Sequence, residues 1–291
     1  MKTITSAIYG GGSMYANESS LFALNQSGFS TIICWSVHVS ATGDLAYNNI
    51  QLCSNGNYIA DPNWPAQLEA VKTGGSVNRI LFSVGSGGVS DYTHIMQLIN
   101  EYGTGPETNL YKNFQALLTA IPVIDGIDLD DEDNLDQSTI VRFSEMIADI
   151  GYKEVTFCPY WNSDLWNKCL VELNTSNPGL VTAYNLQCYS GGSGNLYSVP
   201  EWIASVKQVK GSDFDAAAFI NPGLWCQNGN GCSSGMSPDK IQSYFQGWAP
   251  DGVAGGFIWL YDDVVKCGND PSAYASAINN GLYADIPQVQ P

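Results

Sequence analysis

The chain has 291 residues, 44% of them hydrophobic and 12% aromatic, and its 28 acidic against 11 basic side chains give a formal net charge of −17. So much apolar material can build a large core, which excludes a disordered chain. So negative a surface repels phosphate backbones and anionic membranes, and no apolar run reaches the roughly 18 residues of a membrane-spanning helix. We therefore expect neither nucleic acid nor a membrane as a partner, and a monomeric chain.

Eight short apolar runs are predicted as strands, in chain order at residues 3–9, 31–37, 79–84, 123–129, 154–159, 181–189, 216–220 and 253–259. Several are apolar on both faces, which is typical of a parallel sheet covered by helices. Amphipathic periodicity predicts helices between them, at 64–72, 93–102, 110–120, 138–150, 200–209 and 238–247. Ser138 is the predicted N-cap of the fourth helix, and residues 40–65 are expected to form a long loop.

A strand followed by a helix, repeated eight times, predicts an α/β fold, a single (β/α)8 TIM barrel. No shift in composition marks a linker, so one domain is expected over residues 1–291. Only about thirty residues separate the last two predicted strands, and we therefore expect no separate inserted domain.

The fourth predicted strand ends in a dense row of acids, at positions 125, 128, 130 and 132. Because side chains alternate along a strand, Asp128, Asp130 and Glu132 should share one face, with neighbours roughly 6.5–7 Å apart. Like charges this close raise the proton affinity of at least one member, and a carboxyl group protonated near neutral pH can act as a general acid. The alternatives are a solvated loop or a calcium loop, but an EF-hand counted from Asp128 has Asp133 and Thr139 where Gly and Glu are needed.

Catalytic groups of such barrels lie at the C-terminal ends of the strands. Besides the acids, the predicted strand ends carry phenols, indoles, an amide and a glycine-rich turn, with almost no cations. Aromatic faces combined with carboxylates are typical of a site for a neutral sugar. Core packing is the alternative interpretation of the aromatic residues. The candidates at this rim are Tyr9, Gly87 within residues 83–88, Tyr160, Trp161, Gln187, Tyr189 and Trp259.

These residues resemble the catalytic barrel of glycoside hydrolase family 18, the chitinase family. The family's D-x-x-D-x-D-x-E pattern is matched at residues 125–132. Weaker similarities follow the family order: residues 83–88 to its S-x-G-G element, 158–160 to Ala-Pro-Gln, 187–190 to Gln-x-Tyr-Asn, and 255–259 to its glycine-rich run ending in Trp.

Three residues depart from that pattern. Asp131 replaces a residue that is more usually apolar or aromatic, Tyr160 stands where Gln is common, and Ser190 where Asp or Asn is. The last two should change the hydrogen bonding around a bound sugar. Asp131 should face away from the lumen and make a salt bridge or a loop contact, and Asp125 is expected to be structural.

The resemblance implies a glycoside hydrolase, an endo-acting chitinase that cleaves β-1,4 bonds between N-acetylglucosamine units with retention and with assistance from the substrate. It assigns Glu132 as general acid and then general base. It assigns Asp130 to orient the acetamido N–H and stabilise the oxazolinium-like cation, while Asp128 shares a proton with Asp130. Tyr189 would donate to the acetamido oxygen and Trp259 would form the floor of the site. Further expected substrate contacts are Gln187, Tyr9, Tyr160, Trp161 and Gly87.

Two other functions remain open on the same barrel. One is an endo-β-N-acetylglucosaminidase that cuts N-glycan cores, and the other is a catalytically silent chitin-binding lectin. Loss of the acid Glu usually marks the silent members, whereas Glu132 is present here. The expected partner is chitin or an N-acetylglucosamine oligosaccharide, and no cofactor is expected.

The eight cysteines are an even number, which is compatible with disulfides in an oxidising compartment. Cys226 and Cys232 are the simplest local pair. The spacing lacks a paired CxxC motif and only two histidines could assist, so no metal site is expected. We expect an extracellular protein, and the N-terminus is too short and polar to be a signal peptide.

Overall fold

The structure of the protein, a computed structural model, describes residues 3–283. The outermost residues of the predicted domain, 1–2 and 284–291, lie outside the described residues. The strands are β1 (Thr5–Gly10), β2 (Thr31–Val39), β3 (Leu45–Tyr47), β4 (Ile50–Ser54), β5 (Asn57–Tyr58), β6 (Arg79–Gly85), β7 (Gly126–Asp130), β8 (Glu154–Phe157), β9 (Val181–Gln187), β10 (Ile220–Trp225) and β11 (Gly255–Trp259).

The helices lie between these strands and after the last one. They are α1 (Glu18–Asn25), α2 (Trp64–Val71), α3 (Asp91–Tyr102), α4 (Asn109–Ala120), α5 (Gln137–Ile150), α6 (Ser163–Ser176), α7 (Val199–Lys210), α8 (Ala216–Phe219), α9 (Pro238–Trp248), α10 (Tyr261–Lys266) and α11 (Pro271–Tyr283). Short 3₁₀ helices occupy Gly12–Met14, Ser190–Tyr197, Asn230–Cys232 and Ala249–Asp251.

Eight parallel strands close into a barrel in the order β1, β2, β6, β7, β8, β9, β10, β11. β1 closes it by pairing with both β2 and β11, so that Ile8 lies opposite Ile32 on one side and Ile258 on the other. The predicted (β/α)8 barrel is confirmed. Within residues 3–283, the connection from β10 to β11 contains α9 and short turns but no inserted domain, and no helix is long and apolar enough to cross a membrane.

The prediction for the seventh strand was wrong in position. Residues 216–219 form the short helix α8, and β10 begins only at Ile220. The side chain of Asp215 accepts a hydrogen bond from the backbone N–H of Ala218, which caps a helical turn. An apolar run of three alanines and a phenylalanine is compatible with either structure, and the cap selects the helix.

The predicted long loop at 40–65 was also wrong in part. It contains β3, β4 and β5, which extend the barrel sheet as antiparallel strands from β2, with Val37 opposite Tyr47. The N-cap of α5 is Asp136 rather than Ser138, because the Asp136 carboxylate accepts the backbone N–H of Thr139. Helices α1, α6, α10 and α11 were not predicted.

Apolar side chains form two layers, one between the barrel and the helices and one inside the barrel. The inner layer includes Tyr9, Ile33, Leu81 and Phe257. Gly223 leaves room for the ring of Phe257, since a Cβ at that position would lie 1.9 Å from the ring. The interior is therefore a packed core, and a ligand can approach only at the rim.

The simplest local pair, Cys226 and Cys232, is not the disulfide that forms. Cys232 is bonded to Cys267, 35 residues along the chain, which joins the loop after β10 to the end of α10. Cys226 is buried as a thiol, and its sulfur accepts the backbone N–H of Leu260. Cys226 directly follows β10 and packs in the layer between the barrel and the helices, away from the loop that carries Cys232.

Candidate active site

Strand β7 places its acids in the barrel interior. Ile127 and Leu129 pack in the layer under the helices, whereas Asp128 and Asp130 contact residues from other strands inside the barrel. Parallel pairing sets Asp130 opposite Gly85 on β6. Gly85 has φ 103°, and a Cβ there would lie 2.3 Å from the Asp130 carbonyl oxygen, so this close approach requires glycine.

Asp128 is fully buried and hydrogen-bonded by four side chains. Its Oδ2 accepts the hydroxyls of Tyr9 at 2.9 Å and Ser83 at 2.8 Å. Its Oδ1 accepts the hydroxyl of Thr156 at 2.5 Å and the amide of Asn185 at 2.9 Å. Burial raises the pKa of Asp128 above its ordinary value, although these donors oppose the shift. Asp128 is thus held rigidly below the site and does not face a bound ligand.

Gln187 links the two acids nearest to the rim. Its Nε2 donates to Asp130 Oδ1 at 3.1 Å and to Glu132 Oε1 at 3.0 Å. An amide nitrogen carries two hydrogens, so one Gln187 side chain can orient both carboxyl groups. The second oxygen of Asp130 accepts the indole N–H of Trp35 at 3.2 Å.

The surroundings of Asp130 make its carboxyl group bind a proton more tightly than a free aspartate does. Burial raises the pKa of Asp130 well above its ordinary value, and the neighbouring charges of Glu132 and Asp128 raise it further. Among the described residues, Asp128 and Asp130 do not share a direct hydrogen bond, but each carboxyl group affects the proton affinity of the other through charge.

These groups lie at a pocket of about 230 Å³ at the C-terminal rim of the barrel. Larger hollows lie between α1 and α2, of about 1,010 Å³, and beside the N-terminus of α4, of about 650 Å³, but in the described chain neither is lined by a buried acid. A hollow of about 430 Å³ at the end of β2 includes the buried Asp91, whose two oxygens are hydrogen-bonded to His38 and to the Val39 N–H. The chemistry therefore points to the smaller pocket. Its lining comprises Ser86, Gly87, Glu132, Tyr160, Gln187, Tyr189, Ser190, Gly191, Trp225 and Trp259.

Aromatic rings form one wall of the pocket. Tyr189 stacks on Trp259 with centroids 5.8 Å apart, and Trp35 packs edge-on against the same Trp259 at 4.7 Å. Trp225 is held by a hydrogen bond of 2.9 Å from its indole N–H to Asp263. Burial, with the nearby acids, raises the pKa of Tyr189 well above its ordinary value, so its hydroxyl keeps a proton to donate.

The structure separates the predicted substrate contacts into different positions. Tyr160 lines the pocket, and its hydroxyl donates to the Glu132 carbonyl at 3.4 Å. Gly87 faces Glu132, and a Cβ there would lie 2.8 Å from Oε2. Tyr9 is fully buried outside the pocket lining, and its hydroxyl donates to Asp128. Trp161 is 51% exposed and lies outside the pocket lining.

Three residues near the acids were missed by the sequence analysis, namely Trp35, Thr156 and Asn185. Two of them had a usable signal: Thr156 pairs with Asp128 across β7 and β8, and Asn185 precedes Gln187 by two on the same face of β9. Trp35 had none, because it lies where the register of β2 against β6 shifts between Cys34 and Val37.

The remaining acids of the row are structural. Asp131 is buried, and its carboxylate accepts the backbone N–H groups of Asp133, Asn134 and Leu135 at 2.9–3.2 Å. This loop contact fixes the turn that carries Glu132. Asp125 pairs with Lys72 and Lys153 at the start of β7. Burial would raise the pKa of Asp125, but the hydrogen bonds it accepts, first from Lys72, lower it.

The geometry is that of a TIM barrel whose rim pocket is lined by aromatic rings and by the carboxyl group of Glu132, with Asp130 and Asp128 buried behind it. The sequence matches no protein-family model and shows no significant similarity to a curated protein. The fold is similar to a GH18 chitinase from Pseudoalteromonas aurantia, with a TM-score of 0.67 and 13% identity over 96% of this chain and 100% of that chain.

Two further solved structures agree. The catalytic domain of a hyperthermophilic chitinase from Pyrococcus furiosus matches with a TM-score of 0.70 and 11% identity, over 98% of this chain and 96% of that one. A putative chitinase A from Streptomyces coelicolor matches with a TM-score of 0.63 and 14% identity, over 97% and 99%. The predicted likeness to the family 18 barrel is therefore confirmed at the level of the fold.

Proposed function

We propose that the protein is a chitinase of glycoside hydrolase family 18, with Glu132 as its general acid and base. The observation that carries this proposal is the single Gln187 amide that orients both Asp130 and Glu132 beside the stacked rings of Tyr189 and Trp259. A carboxyl group at the pocket surface, with a second one buried behind it, is suited to a reaction that needs one proton donor and one charge stabiliser.

In the first step Glu132 gives its proton to the glycosidic oxygen, and the bond from that oxygen to the anomeric carbon breaks. The carbonyl oxygen of the substrate's own acetamido group forms the new bond to that carbon, which yields an oxazolinium-like cation. Asp130 accepts the acetamido N–H and balances the positive charge. Tyr189 donates its hydroxyl to the acetamido oxygen, and Trp259 lies under the sugar ring.

In the second step the Glu132 carboxylate removes a proton from water, whose oxygen attacks the anomeric carbon. The bond to the acetamido oxygen breaks, and the product keeps its original anomeric configuration. Two displacements on one carbon give retention without a covalent enzyme intermediate, which places the reaction among the exceptions to the two-carboxylate scheme. Asp128 supports Asp130 from below.

The shape of the pocket supports a polymeric substrate cut within its length. A volume of about 230 Å³ lies below the roughly 300–1,000 Å³ of pockets that enclose a drug-sized ligand. One sugar ring with its acetamido group would occupy it, and the rest of the chain would lie along the open rim. We therefore propose endo-acting cleavage.

Ligands of the structural neighbours are consistent with this substrate class. Catalytic-site mutants of active domain 2 of a Pyrococcus furiosus chitinase were crystallised with chito-oligosaccharides, and a family 18 chitinase from Cycas revoluta was crystallised with allosamidin. We transfer the substrate, chitin or its oligomers, to this chain as part of the proposal. An extracellular location is also proposed, since the Cys232–Cys267 disulfide suits an oxidising compartment.

The test is incubation with N-acetylglucosamine oligomers and with an N-glycosylated protein side by side, with products weighed by mass spectrometry. We expect short N-acetylglucosamine oligomers, released first as the β-anomer in NMR spectra. Release of whole N-glycans without cleavage of the oligomers would overturn the choice of substrate. Binding of oligomers without any product would overturn the enzyme and leave the lectin.

A further inference from the structure

Trp35 contacts Asp130 from β2, a strand that contributes no residue to the proposed catalytic steps. It lies in the bulge of β2, and its indole N–H donates to Asp130 Oδ2 at 3.2 Å. Its ring packs edge-on against Trp259, with centroids 4.7 Å apart. Trp35 therefore connects the buried charge stabiliser to the proposed floor of the sugar site.

The backbone of this bulge is clamped by Asn48, which lies in the tight turn between β3 and β4. The Asn48 backbone N–H donates to the carbonyl of Ser36 at 3.0 Å, and its side-chain amide donates to the carbonyl of Trp35 at 3.2 Å. Asn48 has φ 52°, a left-handed conformation that Asn tolerates better than most residues. The antiparallel extension of the barrel thus holds both carbonyls of the bulge.

The Ser36 side chain is held by a second device, a chain of three polar groups. Ser36 Oγ lies 3.2 Å from His38 Nε2, and His38 Nδ1 lies 2.8 Å from Asp91 Oδ2. The other oxygen of Asp91 accepts the backbone N–H of Val39 at 2.8 Å. The carboxylate holds a proton on Nδ1, and in the neutral ring Nε2 then accepts the Ser36 hydroxyl.

The order Ser–His–Asp resembles that of a hydrolase triad, but the serine is not accessible to a substrate. Ser36 is fully buried, so no substrate carbonyl can reach its hydroxyl, as a nucleophile requires. His38 lies in β2, and Asp91 is the first residue of α3. These three hydrogen-bonded groups therefore join β2 to α3.

We propose that Trp35 is a positioning residue that orients Asp130 for catalysis, and that Asn48 and the Ser36–His38–Asp91 chain hold Trp35 in that position. This inference rests on the proposed function. Each oxygen of Asp130 then has one fixed donor, Trp35 on one side and Gln187 on the other. A carboxylate oxygen can accept a second hydrogen bond, so the acetamido N–H of a substrate meets an acceptor that is already oriented.

The Trp35 N–H also affects the proton affinity of Asp130. The titratable groups that face Asp130 are acids and weak acids, and the hydrogen bonds from Trp35 and Cys158 oppose the effects of burial and of the neighbouring charges on its pKa. The hydrogen bond from Trp35 lowers the pKa of Asp130 against the larger effect of burial. The titratable neighbours of Asp130 are Asp128, Glu132, Tyr9, Tyr92, Cys158 and Tyr189.

The experiment compares Trp35→Phe with Trp166→Phe. Both changes remove an indole N–H and keep an aromatic ring, but the N–H of Trp166 is buried without a hydrogen-bond partner among the described residues. On a soluble N-acetylglucosamine oligomer we expect Trp35→Phe to lower kcat about tenfold or more, with KM within about twofold. The acidic limb of its pH–rate profile should move to higher pH, because Asp130 then holds its proton more tightly. Trp166→Phe should change neither.

The supporting chain is tested by His38→Ala against His94→Ala. Both histidines lie beside the end of β2, but His94 contacts the Val39 carbonyl and does not reach Ser36. His38→Ala should reproduce the shift of the acidic limb, and His94→Ala should not. Thermal unfolding of every variant confirms that it is folded.

The outcomes separate the two proposals. An active wild type with an unchanged Trp35→Phe rate overturns the inference and leaves the chitinase intact. Equal losses in Trp35→Phe and Trp166→Phe also overturn it, since they indicate only damage to packing. If the acidic limb of the pH–rate profile of His38→Ala matches that of wild type, the Ser36–His38–Asp91 chain does not hold Trp35 in position. An inactive wild type overturns the proposed function and the inference together.

Discussion

Glu132 is the residue on which the proposed activity depends most directly. One of its carboxylate oxygens accepts from Gln187, and the other faces Gly87 in the pocket. It is the only acid among the described residues that line the pocket. Glu132→Gln keeps the size and the acceptor for Gln187 but has no proton to give. We expect kcat on chitin oligomers to fall about 10²–10⁴-fold, with oligomer affinity by calorimetry nearly unchanged.

The matched control for that change is Glu101→Gln, an exposed position in α3, which should retain wild-type kcat. Retained turnover in Glu132→Gln would remove Glu132 from the mechanism. Loss of oligomer binding together with turnover would instead show that the amide disturbs the pocket.

Asp131 shows how a residue beside the site can affect stability rather than chemistry. Burial raises its pKa from 3.8 to about 6, although three backbone N–H groups oppose the shift. The folded state therefore holds this proton more tightly than the unfolded state. Protons are released on unfolding between about pH 4 and pH 6, and the contribution to stability falls as pH rises through this window, by up to about 3 kcal/mol.

Asp131→Asn should remove that pH dependence. Its free energy of unfolding, relative to wild type, should increase from pH 4 to pH 7 in urea titrations. Asp213→Asn, an exposed change outside this turn, should follow the wild-type slope. Parallel curves for wild type and Asp131→Asn would mean that Asp131 is ionised throughout this range.

At the scale of elements, the disulfide determines how the loop after β10 is held. Cys232 and Cys267 are 35 residues apart, and closing a loop of that length stabilises the folded state by about 3–4 kcal/mol in the chain-entropy estimate. The double variant Cys232→Ser, Cys267→Ser should lose roughly that much unfolding free energy. A reducing agent should lower the Tm of the wild type and leave that of the variant unchanged.

Peptide mapping without reduction gives the independent check on the pairing. A Cys232–Cys267 peptide with alkylated Cys226 agrees with the structure, whereas a Cys226–Cys232 peptide would contradict it. Sensitivity of the double variant to reduction would reveal another disulfide.

The strands could be predicted where local and tertiary preferences agree. β7 follows from an apolar lead-in and alternating acids, and closure of the barrel brings Gln187 and Tyr189 to the same rim. Residues 216–219 show where prediction fails, since a single cap at Asp215 changes an apolar run from strand to helix. Local pattern decides an element only when no side chain outside the run competes for its backbone.

The part of the site that could not be predicted comes from irregular backbone. Trp35 reaches Asp130 only because β2 changes register beside it, and Asn48 holds that bulge from a turn thirteen residues along the chain. Neither residue lies in a periodic pattern. Tyr9 is the opposite case: it lies at the predicted strand end, but the packed lumen turns its hydroxyl towards Asp128.

On the scale of the whole molecule, closure of the barrel explains why charges so close together can be stable. Asp128, Asp130 and Glu132 are supported by donors from β1, β2, β6, β8 and β9, so each strand contributes a part of the polar network. A satisfied buried network can be rigid because every member holds its neighbours. The arrangement of the three acids therefore depends on the closed barrel, because no single segment of the chain supplies all of their hydrogen-bond donors.

The net charge of −17 adds a property that no individual residue shows. Chitin is neutral, but its partly deacetylated polymer carries protonated amines, and the protein's field should steer such a polycation to the surface. Salt shortens the range of this field from about 30 Å at 0.01 M to about 3 Å at 1 M. We therefore expect kcat/KM on the soluble, partly deacetylated polymer to fall several-fold over that range of salt at a pH where its amines are charged.

The neutral N-acetylglucosamine hexamer serves as the control and should change less than about twofold, because it is not attracted by net charge. An equal response of both substrates to salt would show that the acidic surface plays no part in capture.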